Sequence, residues 1–221
     1  MKHHLSLEQV LRFAGRRGLM FDEHARNDLR QFADLISQWS GRQSLVSLGD
    51  RQHLYERHFL SSLLFVDQLQ TISSARLIDI GSGSGFPAVV IKILRPELEI
   101  ITIDSSRKKC LFLKEINDVL NLGLHIVHER IEMFADRNKN SFDIATSRAV
   151  ADLSALWNWV KPVLKSKGKL LVLKGGNIDA EIPVLESSGI KAGVHYPSVA
   201  WTRFSPYLNE KFLVELEKRR V

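Results

Sequence analysis

The 221 residues include a single cysteine, Cys110. One thiol rules out an internal disulfide and any metal site built from several cysteines, and it fits a reducing cytoplasm. No apolar run approaches the roughly 20 residues that a membrane helix needs. The first residues, Met1-Lys2-His3-His4-Leu5-Ser6, lack the apolar core of a signal peptide. A cytoplasmic chain without membrane contact is therefore expected. Internal repeats and low-complexity stretches are absent too. His125 and His128 have no cysteine or acid beside them at ligand spacing, so no metal is expected. What remains is ordinary: 44% hydrophobic and 25% charged residues, enough chain for one large domain or a domain with an extension. The basic excess leaves a net charge of +6, compatible with a nucleic-acid partner without demanding one.

A missing glycine carries more information. In Leu77-Ile78-Asp79-Ile80-Gly81-Ser82-Gly83-Ser84-Gly85-Phe86-Pro87, three glycines follow a short apolar run. The run reads as a buried strand, the glycines as the turn out of it, and Pro87 as the first position of a helix reaching Leu94. Strand, glycine turn and helix start make a cradle for an anionic or polar ligand. A dinucleotide fingerprint, G-x-G-x-x-G, needs its third glycine at position 86, where Phe stands. The spacing G-x-G-x-G is instead similar to the first motif of class I S-adenosylmethionine (AdoMet) methyltransferases. A glycine turn that only lets strand and helix pack is the alternative. Asp104 ends a second apolar strand, Glu99–Asp104, about 20 residues beyond the glycines. A parallel βαβ unit places an acid there for ribose hydroxyls. The alternative for Asp104 is a helix N-cap ahead of Ser105-Ser106.

Taken in order, Ser6-Leu7-Glu8-Gln9 is a capping-box pattern, which predicts a helix from Leu7 to Gly15 or Gly18. Ala25, Leu29, Phe32, Ala33 and Ile36 share one face of a second helix after Asp22, with a Ser40-Gly41 break after Trp39. A third helix covers His53 to Leu69 and buries Leu54, Phe59, Leu63 and Val66. Residues 1–70 thus read as a helical extension and 71–221 as a nucleotide-binding core. Arg12, Arg16, Arg17, Arg26 and Arg30 cluster in the extension, either as phosphate contacts or as a solvated face. The core continues with a helix over 107–116, in which Cys110 is an inert buried thiol. A strand over 124–128, a turn over 129–132 and a fourth strand, Phe142–Ser147, follow. The end of that strand, running into Arg148, lies on the same sheet edge as the glycines and Asp104, where doubly wound folds bind ligands. Arg148 is a ligand contact there, or else a surface arginine or a partner of Asp152. Next come a helix over 153–164 with Trp157 and Trp159, a turn at Gly168 among Lys165, Lys167 and Lys169, a strand over 169–174 and a helix over 180–187. Two late strands, over 194–201 and 211–216, form an antiparallel hairpin. The fold class is α/β, a mostly parallel Rossmann-like sheet with helices on both faces.

The chain resembles the bacterial small-subunit (16S) ribosomal RNA guanine-N7 methyltransferases, historically called glucose-inhibited division protein B. The resemblance rests on Asp79–Pro87, Asp104-Ser105, Lys108-Lys109 with Phe112-Leu113, Arg130-Ile131-Glu132, Ser147-Arg148-Ala149 and Leu173-Lys174-Gly175. Upstream, Arg57-His58-Phe59-Leu60-Ser61-Ser62-Leu63 is similar to the family's Arg-His-x-x-Asp-Ser-Leu signature, with Ser61 in place of Asp. Ser44-Leu45-Val46 stands where the family has Asn-Leu-Thr. The match spans about residues 39–177. It implies a class I AdoMet-dependent methyltransferase fold and an enzyme that methylates N7 of guanine 527 in the 530 loop of 16S ribosomal RNA. It places cofactor contacts at Gly81, Phe86, Ile131, Glu132 and Arg148, with Asp104 the ribose acid. Gly83 and Gly85 of the turn complete the cofactor set, and Arg148 is the catalytic candidate. A monomer is expected.

Absent residues agree with that chemistry. Methylating C5 of a pyrimidine needs a cysteine nucleophile, and Cys110 lies in the wrong element. Methylating an exocyclic amine uses an [Asp/Asn]-Pro-Pro-aromatic segment after the fourth strand, where Ser147-Arg148-Ala149 stands. Guanine N7 has an in-plane lone pair and needs no general base, so orientation supplies most of the acceleration. Two rival readings are a nicotinamide oxidoreductase and a non-catalytic RNA-binding protein that retains the fold. Phe86 opposes the first; the complete glycine turn and Asp104 oppose the second.

Overall fold

Ser6 opens the first helix with a reciprocal cap. Its hydroxyl accepts from the Gln9 amide at 3.3 Å, and the Gln9 side chain accepts from the Ser6 amide at 2.8 Å. The structure is a computed structural model that describes residues 4–42, 48–148 and 151–218. Ser44-Leu45-Val46 and Ala149 lie outside the described residues. Helix α1 (Leu7–Gly15) is followed by α2 (Glu23–Arg42), which starts where Asp22 Oδ1 accepts from the Ala25 amide at 2.7 Å. The break expected at Ser40-Gly41 does not occur. An interior glycine costs about 1 kcal/mol, and the docking of this face outweighs it. Leu35 and Ile36 are buried, and Trp39 Nε1 donates to Glu115 Oε1 at 2.8 Å.

The helix expected over His53–Leu69 runs without a break from Leu54 to Leu69, but its first part is π-helical. Helix α3 (Leu48–Arg51) leads to a π-helical turn, Tyr55–Leu60, and then to α4 (Ser61–Leu69). The wider turn takes in one more residue than an α-turn. It buries His58, Phe59 and Leu60 in succession.

The sheet is built from β1 (Arg76–Ile80), β2 (Glu99–Asp104), β3 (His125–His128), β4 (Phe142–Arg148), β5 (Leu164–Gly175), β6 (Ile190–His195) and β7 (Lys211–Lys218). Between them run α5 (Ala88–Leu94), α6 (Arg107–Leu120), α7 (Ile131–Arg137), α8 (Leu153–Val160), α9 (Glu181–Ser187) and α10 (Val199–Phe204), with a 3-10 turn over Pro206–Glu210. The strand order is β3-β2-β1-β4-β5-β7-β6. The first five strands are parallel; β7 lies antiparallel between β5 and β6. The late strands therefore pair antiparallel as expected, but the first of them runs over Ile190–His195 rather than 194–201. Residues 199–204 coil into α10 and bury Trp201.

Three other stretches differ from the sequence reading. Of the expected turn over 129–132, Glu129 and Arg130 precede the helix, but Ile131 and Glu132 already belong to α7, whose Ile131, Phe134 and Ala135 form a short buried face. Helix α8 stops at Val160, since Pro162 cannot continue the hydrogen-bond ladder. Lys165 to Gly168 form no turn between elements but a bulge within β5. Leu164 pairs with Phe142 and Lys169 with Ile144, so four residues of β5 oppose one of β4.

Alternation along the strands divides the core into two. On one face Leu77, Ile100, Ile144, Leu171 and Leu173 pack with α1, α2, α4, α5 and α6. On the other, Ile78, Ile80, Ile101, Ile103, Leu170 and Val172 pack with α7, α8 and α9. The N-terminal helices thus form an outer layer over α5. That second cover explains why α5 carries Ala88, Val89, Val90, Ile91 and Ile93 buried on all sides.

Candidate active site

The sheet reverses direction of growth between β1 and β4, and the carboxyl ends of these strands open a crevice. A cavity of about 420 Å³ lies there. The glycine turn forms one wall. The Gly81 amide donates to the Ile103 carbonyl at 2.8 Å and the Ser82 amide to the same oxygen at 3.3 Å, which pins the turn over the end of β2. The Gly83 amide then donates to Asp104 Oδ2 at 2.9 Å. Asp104 Oδ1 accepts from the Ser106 amide at 2.8 Å, and Ser106, not Asp104, is the N-cap of α6. The carboxylate is therefore buried at the end of β2, facing the glycines, with Lys109 Nζ 3.9 Å away.

Gly81, Gly83, Phe86 and Asp104 line the cavity, and so do Ile131, Glu132 and Arg148. Gly85 does not. A Cβ there would stand 2.7 Å from Val89 Cγ2, 3.2 Å from Phe32 Cζ and 3.3 Å from Leu113 Cδ2. Its bareness lets the turn pack against α2 and α6.

Arg148 comes off the end of β4 and folds inward. Its guanidinium lies 5.5 Å from the centre of the Phe86 ring and donates to the Arg57 carbonyl at 3.4 Å. Burial, offset in part by Tyr207, Asp79 and Asp50, pulls its pKa down, but a guanidinium stays charged. Asp152 instead caps α8, accepting from the Ala155 amide at 2.8 Å. Below the turn Asp79 is fully buried: Oδ1 accepts from Thr146 Oγ1 at 2.7 Å, and Oδ2 has no partner. Burial pushes its carboxyl up to about 6.

Several cavity residues escaped the sequence reading. Asp50, on the short α3, and Trp159, on α8, line it. Neither carries a local signal, because each reaches the cavity only through packing of distant elements. His58 also lines it, and its one trace in the sequence is the Arg57-His58 pair. Cys110 is buried behind Asp104, its Sγ 3.4 Å from the Asp104 carbonyl, and burial raises its pKa. That is an unreactive thiol. Among the described residues, no three His, Cys, Asp or Glu side chains gather to hold a metal ion. None of the described helices is long and apolar enough to cross a membrane.

Residues 25–202 match the family of rRNA small subunit methyltransferase G. The Ribosomal RNA small subunit methyltransferase G of Mesoplasma florum is 37% identical over 166 residues, 75% of this chain and 70% of that one. The chain belongs to the rRNA small subunit methyltransferase G family. A member from Roseiflexus castenholzii is 35% identical over 179 residues, 80% of this chain and 76% of that one. The family match thus begins upstream of the motifs at 39–177 and takes in most of α2. Among solved structures, the YcgJ protein from Bacillus subtilis superposes with a TM-score of 0.59 at 15% identity, covering 74% of this chain and all of that one. A methyltransferase from Thiobacillus denitrificans in complex with S-adenosyl-L-homocysteine gives 0.53 at 12% identity, covering 72% and 91%. The fold is that of the class I AdoMet-dependent methyltransferases.

Proposed function

We propose that this family member transfers the methyl group of AdoMet to N7 of guanine 527, in the 530 loop of 16S ribosomal RNA, without a general base. One observation carries the reading: a single cavity joins the glycine turn and Asp104 to a buried arginine held over Phe86. The turn fits AdoMet. Gly83 adopts a left-handed φ of +54°, and a Cβ there would meet only Gly81 O at 3.6 Å and Lys109 Nζ at 3.8 Å, so it would project into the space a ligand needs. Asp104 spends one lone pair of each oxygen on an amide and keeps others for two ribose hydroxyls.

Gly81, Gly83 and Asp104 would hold the cofactor, with Phe86, Ile131 and Glu132 along its sides. When bound, it supplies an electrophilic methyl carbon on a sulfonium. The chain's own residues orient the acceptor and exclude water. Arginine commonly reads guanine by bonding O6 and N7 together. N7 must stay free here, so Arg148 bonds O6 alone, an RNA phosphate or the cofactor carboxylate. Cys110 is buried and inert, which leaves no nucleophile for a covalent route. We further assign residues 1–70 to RNA contact and 71–221 to methyl transfer.

The test is transfer of labelled methyl from AdoMet to total ribosomal RNA of a strain lacking this gene, with the product identified by mass. The expected product is 7-methylguanosine in the 530-loop fragment. No transfer, or methyl on another atom, overturns the reading.

A further inference from the structure

His58 is a polar side chain in the cavity to which nothing above gives a role. It sits on the π-helical turn, is 8% exposed, and lines the cavity with Arg148 and Phe86. Neither Nδ1 nor Nε2 has a hydrogen-bond partner. Buried polar atoms without partners are rare, because each forfeits its bonds to water with nothing in return. Packing, not hydrogen bonding, holds the ring. It lies 5.2 Å from the Phe86 ring, which itself packs on Phe32 at 4.9 Å and Phe59 at 5.0 Å. π-Helical turns recur at functional sites, and this one brings an otherwise helical histidine inward.

The surroundings also fix its charge. Burial first, then Arg148 and Arg57 against the opposing Asp50, push the imidazole down to about 3. At neutral pH one ring nitrogen therefore donates and the other accepts. Phosphates and carboxylates call for a cation, which Arg148 supplies. An uncharged donor suits a neutral planar base with a carbonyl acceptor. In the transfer, the sulfur–carbon bond breaks with its electron pair going to sulfur, and the N7 lone pair forms the new bond. Positive charge passes to the guanine ring and no proton moves. An uncharged imidazole beside the ring does not oppose that charge.

We propose that His58 is a substrate-binding residue whose imidazole N–H donates to O6 of the target guanine, leaving N7 free toward the methyl donor. The assignment rests on the methyl-transfer reading above. The experiment compares guanine with 2-aminopurine, which keeps N7 but lacks O6, at the target position of the RNA. Wild type should lose about tenfold in kcat/KM on 2-aminopurine. His58→Phe should lose about tenfold on guanine and nothing further on 2-aminopurine. Of His58→Asn and His58→Gln, the one whose amide reaches O6 should recover most of the loss on guanine, and it carries the test should the Phe variant not fold. AdoMet affinity by calorimetry should be unchanged in all three. Full activity of His58→Phe on guanine, an undiminished 2-aminopurine penalty in that variant, or a fall in AdoMet affinity each overturns the assignment. Wild type that methylates no guanine N7 overturns the methyl-transfer reading instead, and His58's role with it.

Discussion

Gly83 and Gly85 stand two residues apart, both with positive φ, and they answer to different neighbours. Gly83→Ala puts a methyl into the cavity at ordinary contact distances. It should weaken AdoMet binding at least about tenfold while lowering stability by about 1 kcal/mol, the strain of a left-handed alanine. Gly85→Ala drives a methyl into Val89, Phe32 and Leu113 and should lower stability by more than that. Calorimetry with AdoMet and thermal melts on both variants separate the two effects. Arg148→Ala should lower kcat/KM by at least about tenfold, about 1.4 kcal/mol of transition-state stabilisation. Arg148→Lys should recover little, because an ammonium lacks the extended planar fork that stands 5.5 Å from the Phe86 ring centre and donates to the Arg57 carbonyl. His58 and Asp79 make stability depend on pH in opposite directions. His58 falls from 6.5 to about 3 on folding, so the unfolded chain takes the proton first. Stability on its account is complete above pH 6.5 and is lost as pH falls toward 3. Asp79 rises from 3.8 to about 6, so its burial destabilises most above pH 6, and that cost is relieved as pH falls toward 4. Relative to wild type, His58→Asn should gain about 1.4 kcal/mol per pH unit on descending from pH 6 to 4, and Asp79→Asn should lose as much. Urea titrations at several pH values across that window check both.

At the scale of elements, the late helix α10 ties the ends of the chain together. Phe13 of α1 stacks on Phe204 at 4.0 Å with the rings nearly parallel, and meets Trp201 edge-on at 5.2 Å. From the sequence, residues 199–201 end a strand over 194–201; in the fold they open α10 so that Trp201 can reach this aromatic cluster. The 3-10 turn adds a polar tie, with Ser205 Oγ donating to Glu56 Oε1 at 2.5 Å. Phe13→Ala should therefore destabilise the chain by about 2 kcal/mol, less than a fully buried phenylalanine because Phe13 is half-buried. Denaturant unfolding measures it; a change under about 0.5 kcal/mol, the size of an ordinary surface substitution, would mean that α1 docks without this cluster.

For the whole molecule, the charges that matter are those left uncompensated. Arg30 reaches Glu8 at 2.7 Å and Glu23 at 3.4 Å, and Arg26 lies 3.9 Å from Glu8. Two of the five clustered arginines thus have acidic neighbours within the chain. Arg12 and Arg16 are exposed, and Arg17 lies 5.6 Å over the Phe13 ring. RNA binding should weaken steeply with salt. Reversing Arg12, Arg16 and Arg17 together should reduce the slope of log affinity against log salt by up to about 3, while Arg30→Glu should leave it unchanged. An unaltered slope in the triple variant would place the RNA on another face.

The sequence by itself determined the strand, glycine turn, helix and acid around which the cavity forms. Each is written in a local code: period-2 or period-3.6 apolar spacing, a turn that only glycine makes cheaply, an acid at a strand end. It also settled the parallel sheet and the capped first helix. Only the tertiary structure decided what those local elements face. Gly85 meets Val89, Phe32 and Leu113 rather than the cavity, and Phe32 comes from a helix more than fifty residues upstream. His58 is buried and unpartnered because a π-turn and Phe86 meet over it. Arg148 turns inward to a carbonyl 91 residues away. Asp50 and Trp159 join the cavity from segments 109 residues apart, and Glu8, on a different helix, lies beside both Arg26 and Arg30. Burial, pKa and partner are properties of neighbourhoods in space, and a neighbourhood assembled from distant segments leaves no periodic mark in any one of them.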